Sequence, residues 1–328
     1  FMKILVTGCA GLIGSHLVDI LIDNGHNVTG VDNLSYGNKK NLNNSIKNKN
    51  FQFKKLDIKN IDNSLNNIEY DVIYHLASYK KPINLEVKSS LVIEENFLMT
   101  MKIVKYCLKN KCFLIFTSTS DVYGNSKFFS ENEQIKIGPP TNERYSYAMS
   151  KLISEQYIFN EINQSNLSAS VVRVFGCASE RSKPSWSAGH VPLFINNALK
   201  HVDINIHGDG LQTRSISSAR DIAKGLELMS KKLEKVNAEI INLGTDQQTT
   251  VKEIAEYIIE NTKSKSKILF TPRTEIFGDY DEILIRYANI KKAEKILDFK
   301  ISEDTFEVLD KMIDEFNNPE SQFYIKNK

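Results

Sequence analysis

Short apolar runs alternate with longer segments of helical period over the first half of the chain. Lys3-Ile4-Leu5-Val6 has no polar partner face, the pattern of a strand buried on both sides. Similar runs predict strands near residues 2–7, 27–32, 51–56, 71–76, 112–118 and 168–174. Segments near 12–24, 89–110 and 146–163 repeat apolar positions at helical spacing. This alternation predicts βαβ units, and so an α/β fold with a doubly wound parallel sheet. After about residue 176 the pattern loosens. Segments near 189–200, 220–232, 251–262 and 289–315 read as helical, and 203–207 and 239–243 as short strands. The expected organisation is a first domain over 2–176 and a smaller lobe made mostly of 177–328. A strand near 239–243 should return to the main sheet, so that the two interleave.

The 328 residues suffice for a sizeable core. Formal charge is nearly balanced at +2, and the basic residues form no single run. The Lys-Asn cluster over 38–50 reads as a solvated loop, which argues against nucleic acid as a partner. No apolar stretch approaches the ~18 residues of a membrane span. Phe1 is set aside as an addition ahead of Met2; no apolar leader precedes Met2, and a cytoplasmic location is expected. Cys9, Cys107, Cys112 and Cys177 show neither zinc spacing nor a disulfide framework, so no metal is expected and the thiols should be free in a reducing compartment.

Two segments carry chemistry. The first is Thr7-Gly8-Cys9-Ala10-Gly11-Leu12-Ile13-Gly14, a glycine-rich turn between the first strand and the first helix. Gly8 permits the tight turn, Gly11 lets the backbone approach a pyrophosphate, and Gly14 lets helix and strand pack closely. The pyrophosphate would rest on the N–H groups that open the helix, including those of Leu12 and Ile13. The spacing is G-x-x-G-x-x-G rather than G-x-G-x-x-G. Asp32 ends the second strand 18 residues after Gly14, the place of a carboxylate that binds the adenosine ribose hydroxyls. An acid there favours NAD over NADP, whose 2′-phosphate it would repel. Asn33 follows it directly.

The second segment is Tyr147-Ala148-Met149-Ser150-Lys151. On a helix the i and i+4 side chains share a face. An ammonium near a phenol favours the phenolate. A phenolate can take a proton from a sugar hydroxyl while hydride leaves the same carbon. Thr117-Ser118-Thr119-Ser120-Asp121, at the end of a strand, supplies a hydroxyl for the same reacting group.

Together these segments resemble the extended short-chain dehydrogenase/reductase family, in its nucleotide-sugar epimerase, dehydratase and decarboxylase branch. The likeness extends to Ser118-Thr119-Ser120-Asp121-Val122-Tyr123-Gly124 and Gly208-Asp209-Gly210-Leu211-Gln212-Thr213-Arg214 and runs over nearly the whole chain. It implies a Rossmann-like fold, NAD as cofactor and a nucleotide-diphosphate sugar as substrate, with UDP the expected nucleotide. It implies Tyr147 as base, Lys151 on the nicotinamide ribose and Thr119 assisting, with Ser120 and Asp121 beside them. Asp57 and Ile58 would lie near the adenine, and Leu76 and Ala77 beside the cofactor. Arg181, Arg214 and Arg286 would contact the diphosphate or sugar, which suits the bidentate guanidinium. Trp186 could stack on a sugar or uracil ring or anchor its loop; His190 is read as structural. Lys80 and Lys81 could face the sugar. A homodimer through a four-helix bundle of the helices near 89–110 and 146–163 is also implied.

Departures mark this chain. Gly176 stands where the family carries the Asn of R-x-F-N. Ser179-Glu180-Arg181 replaces G-P-R, and Ser218-Ala219-Arg220-Asp221 replaces an aromatic and acidic run.

Members of the branch all oxidise C4 of the sugar, and the fate of the 4-ketone defines the enzyme. Dehydratases usually have Thr-Asp-Glu at the position of Thr119-Ser120-Asp121, which argues against elimination here. Glucuronate decarboxylases usually have Thr-Ser-Glu, and Gly138-Pro139-Pro140-Thr141-Asn142-Glu143-Arg144 is also similar to the decarboxylase of lipid A modification. Asp121 is a methylene shorter than that Glu, and C4 epimerisation needs no extra acid. Epimerisation is therefore the expectation, with UDP-glucuronate decarboxylation the alternative. A non-catalytic NAD sensor would show a broken catalytic set, whereas Thr119, Tyr147 and Lys151 are all present.

Overall fold

Six strands of the first half and one from residues 240–243 form a seven-stranded sheet in which every neighbouring pair is parallel. The structure is a computed structural model, and it describes residues 1–65, 68–79, 88–126, 128–185, 189–272 and 284–326. The sheet strands are β1 (Lys3–Thr7), β2 (Asn27–Asp32), β3 (Phe51–Lys55), β4 (Val72–His75), β5 (Phe113–Thr119), β6 (Ala169–Val174) and β11 (Ile240–Leu243), in the order β11-β6-β5-β4-β1-β2-β3. The helices of this unit are α1 (Leu12–Asp23), α2 (Ile61–Ser64), α3 (Ser89–Asn110), α4 (Ser146–Ser165), α6 (Ala219–Ser230), α7 (Leu233–Val236) and α9 (Lys291–Leu297). Flanked by α1 packed with α6 and by α3 packed with α4, the sheet is Rossmann-like and doubly wound. Strand order reverses between β1 and β4, the switch point outside which such sheets bind their ligands.

Burial explains the apolar runs. Ile4, Leu5 and Val6 of β1 and Leu114, Ile115 and Phe116 of β5 are fully buried. Each such side chain contributes roughly 1.5–3 kcal/mol by leaving water.

The chain divides into two compact units. The first comprises Phe1–Val174, Ala219–Leu243 and Ile290–Lys300, and holds the whole large sheet. The second comprises Phe175–Ser218, Gly244–Asn289 and Ile301–Lys328. Its strands are short: β7 (Cys177–Ala178) pairs with β10 (Ser217–Ser218), β8 (Ile204–His207) with β13 (Ile268–Thr271), and β9 (Thr213–Arg214) lies between β12 (Thr249–Thr250) and β14 (Ile285–Arg286). Phe194, Ile195, Ile254, Leu309 and Phe316 anchor its own core, under α5 (His190–Leu199), α8 (Val251–Asn261) and α10 (Thr305–Asn317).

The helical reading of 289–315 needs correction, since two helices occupy it. Asp298 takes a left-handed conformation (φ 58°) and stops α9. Asp304 opens α10 through a capping box with Glu307.

Candidate active site

The glycine turn is a cradle that side chains would fill. Gly8 has a left-handed φ of +70°, and a Cβ there would lie 2.8 Å from the Ala77 nitrogen. A Cβ on Gly14 would lie 2.2 Å from the Gly8 carbonyl oxygen. Gly11 caps α1 in extended conformation with no side-chain hydrogen bond, and the first turn of α1 holds no acid. The opening N–H groups, those of half-buried Leu12 and Ile13 among them, are thus left for an anion. Such a backbone fits the pyrophosphate of NAD.

Asp32 closes the same turn. Its carboxylate accepts the Ala10 N–H at 3.0 Å and the Leu34 N–H at 2.8 Å. Burial raises its proton affinity and these two bonds oppose the rise. Asp57 caps a short 3-10 turn that includes buried Ile58, and its carboxylate receives an Asn33 Nδ2 bond at 3.4 Å. Leu76 and Ala77 are half-buried after β4; their N–H groups donate to the Thr7 carbonyl and to Thr7 Oγ1, both at 3.2 Å.

Lys151 is buried and held by two partners on β5. It is 3% exposed, its Nζ donates to the Thr117 carbonyl at 2.9 Å, and it lies 4.7 Å from the Phe116 ring centroid. That carbonyl is two residues before Thr119, the last residue of β5. Thr119 Oγ1 accepts the Asp121 N–H at 3.2 Å and caps a 3-10 turn over Ser120–Tyr123. Ser120 is buried there, while Asp121 is half-buried. Tyr147 is half-buried on α4, one turn ahead of Lys151. Burial pulls the Lys151 ammonium down to about 7, and the Glu155 carboxylate partly restores it.

Four buried polar residues around this helix escaped the sequence reading. His75 Nδ1 lies 2.8 Å from Thr7 Oγ1, and burial, then the Lys151 charge, lower its proton affinity to about 3, so it is neutral. Asn96 of α3 receives the Tyr79 N–H at 2.7 Å and donates to Ser150 Oγ at 3.0 Å, joining the loop after β4 to α4. Arg173 of β6 binds Glu155 of α4 through both carboxylate oxygens, at 3.1 and 2.7 Å. The spacing Lys151–Glu155 was a legible signal, because i,i+4 places both on one face.

The other proposed residues lie in the second unit. Arg181 has a φ of +75°, and its backbone N–H meets both Glu315 carboxylate oxygens, at 3.1 and 2.9 Å. Arg214 and Arg286 are register partners on adjacent parallel strands. Arg214 Nη1 donates to the Thr213 carbonyl at 2.8 Å. Burial lowers His190 to about 4, and the Arg214 charge adds to this. The departure at Gly176 has a steric cause: a Cβ there would lie 2.6 Å from the Ser215 carbonyl oxygen. Trp186, Lys80 and Lys81 lie outside the described residues. Among the described residues no group of side chains suits a metal ion, and no helix is long and apolar enough to cross a membrane.

A doubly wound parallel sheet with a glycine cradle at its switch point defines a Rossmann-type dinucleotide-binding protein. The profile of the NAD dependent epimerase/dehydratase family matches residues 4–244, so the chain belongs to that family and NAD is its cofactor. It is 34% identical to a Bacillus cytotoxicus UDP-N-acetyl-α-D-glucosaminuronate decarboxylase over 90% of this chain and 92% of that one. It is 31% identical to a putative UDP-glucose 4-epimerase of Methanocaldococcus jannaschii, over 89% and 92%. A UDP-glucuronic acid 4-epimerase from Bacillus cereus, solved with UDP-glucuronic acid and NAD, superimposes with a TM-score of 0.83 at 26% identity, covering 95% of this chain and 98% of that one.

Proposed function

We propose that this chain oxidises C4 of a UDP-hexuronate and releases its C5 carboxylate as carbon dioxide from the resulting 4-ketone. The observation that carries the first step is the anchoring of Lys151 on the Thr117 carbonyl, two residues from Thr119 and one helical turn from Tyr147. Bound NAD supplies the hydride acceptor and donor at C4. Gly8, Gly11 and Gly14 admit its pyrophosphate, Asp32 its adenosine ribose, and Lys151 the nicotinamide ribose. Asn33, Asp57 and Ile58 line the adenine end; Leu76 and Ala77 flank the nicotinamide end.

Lys151, while charged, favours the phenolate of Tyr147. Tyr147 takes the C4 hydroxyl proton and Thr119 holds that oxygen. The C5 carboxylate is then β to a ketone. The bond from C5 to the carboxylate breaks, its electron pair moves into the enolate, and a proton adds at C5. Tyr147 returns its proton to the C4 oxygen when the ketone is reduced. Ser120 and Asp121 lie beside the reacting carbon, where Asp121 orients the leaving carboxylate or its replacement proton. Arg214 and Arg286 bind the diphosphate, and Arg181 serves the nucleotide-sugar.

The 34%-identical decarboxylase supports this fate of the ketone. A second reading, C4 epimerisation, is supported by the relatives with that activity and by the short reach of Asp121. Incubation with UDP-glucuronate and with its 2-acetamido counterpart, followed by chromatography and mass spectrometry, separates the two. Loss of carbon dioxide supports decarboxylation; an isomer of unchanged mass supports epimerisation. Conversion of neutral UDP-hexoses alone refutes a uronate substrate.

We also propose a homodimer in which α3 and α4 form a four-helix bundle with their copies. Ile93 and Ile153 on these helices are 36% and 46% exposed, and a bundle would cover them. A monomer mass in light scattering at micromolar concentration counts against it. Four free cysteines suit a reducing compartment such as the cytoplasm.

A further inference from the structure

The Glu155–Arg173 pair is built at a cost that its place in the fold must justify. Both side chains are almost fully buried, at 4% and 3% exposed. Desolvating two charges costs several kcal/mol per ion, and a pair of apolar side chains would often serve the fold as well. Its geometry points at the candidate active site. Glu155 is one turn beyond Lys151 on the same face of α4. Arg173 lies 4.7 Å from the ring centroid of Tyr123, which ends the 3-10 turn begun by Ser120. Tyr123 donates to Asn242 Oδ1 at 2.8 Å, and the Asn242 N–H donates to Glu131 at 3.0 Å. One buried chain of contacts thus runs from the lysine helix, through β6, to the turn after Thr119 and on to β11.

We propose that Glu155 and Arg173 are positioning residues: the pair locks α4 against β6 beneath Lys151 and sets a buried carboxylate one helical turn from it. This rests on the placement of NAD over Lys151 proposed above. The groups facing that lysine support it. From β5 come the Thr117 carbonyl and the Phe116 ring. From β4 comes His75, which is neutral. From α3, Asn96 reaches Ser150 and brings no charge. Arg173, on β6, is a second cation, whose charge Glu155 takes up through both oxygens. On α4 itself, Tyr147 and Glu155 flank the lysine, and Glu155 is the carboxylate whose field raises its proton affinity. Removing that field should release the proton at lower pH.

The test is NAD affinity against pH, measured by calorimetry on the full chain, which does not depend on the sugar. Lys151→Met identifies the alkaline limb that belongs to the lysine: wild type should lose affinity as the ammonium deprotonates, and this variant should lack that limb. The double variant Glu155→Met/Arg173→Met removes both charges and keeps an apolar fill. Its limb should move to lower pH, with the melting temperature retained. Glu155→Asp should bring the limb back toward wild type. If the double variant does not fold, Glu155→Gln carries the same prediction. A limb that stays in place in a folded variant overturns the proposal, as does a wild-type limb that persists in Lys151→Met. Either failure leaves the C4 oxidation reading standing, because product analysis tests that separately.

Discussion

Gly14→Ala should open the cofactor cradle. The added methyl would lie 2.2 Å from the Gly8 oxygen and 2.9 Å from the Cys9 Cα, roughly 1 Å inside ordinary contact. Backbone atoms oppose it, so no side chain can swing away. Gly8 must retreat, although its N–H holds the Val31 carbonyl at 2.8 Å, with the Cys9 N–H on the same oxygen at 3.3 Å. Overpacking of this kind costs about 1–3 kcal/mol. Two weakened hydrogen bonds add about 1 kcal/mol each. Replacing a helical glycine returns about 1 kcal/mol. The net loss is about 2–4 kcal/mol, a fall in melting temperature of roughly 3–6 °C for a chain of this length. The assay is thermal unfolding with and without NAD. At a hundredfold excess over Kd, NAD should stabilise wild type by about 2.7 kcal/mol, and the variant by clearly less. A variant that melts within about 1 °C of wild type and gains as much from NAD would refute the reasoning.

Further predictions concern the reacting groups and the reshaped loop. Tyr147→Phe should lower kcat by about 10²–10⁴-fold while NAD affinity, read by calorimetry, changes little; near-normal turnover would remove the tyrosine from the base role. Asp121→Asn should slow carbon dioxide release from UDP-glucuronate more than it weakens substrate binding, seen as a fall in kcat with KM nearly unchanged. Unaltered turnover would show that no acid is needed there. Gly176→Ala should melt lower than wild type by the overpacking cost of about 1–3 kcal/mol, because the Ser215 carbonyl blocks its Cβ; an unchanged melting curve would mean that the loop yields freely.

The parallel sheet was readable because β1 and β5 are buried almost throughout, which leaves the apolar runs Ile4-Leu5-Val6 and Phe113-Leu114-Ile115-Phe116 in the sequence. The glycine turn was readable because only backbone fits where Gly8 and Gly14 approach their neighbours. Tyr147 and Lys151 were readable because one helical turn links them. Arg173 was not, since its partner Glu155 lies on another element and pairing across elements leaves no local period. Asn96 was hidden for the same reason: it bridges a loop and two helices from inside an apolar stripe. The two-residue strands β9 and β14 are too short for any alternation to show, so the neighbouring positions of Arg214 and Arg286 emerge only from the fold. The break between α9 and α10 had a local sign, Asp304 followed three residues later by Glu307, which the continuing apolar spacing masked.

The central claim is that Thr119, Tyr147 and Lys151 serve the oxidation of C4 of a UDP-sugar to a ketone, for which NAD is the hydride acceptor. Its most direct test is to quench the holoenzyme during turnover of UDP-glucuronate with borodeuteride and locate the deuterium in the recovered UDP-sugar. The account predicts deuterium at C4 with wild type and none with Tyr147→Phe. Active turnover by wild type with no deuterium at C4 would contradict it.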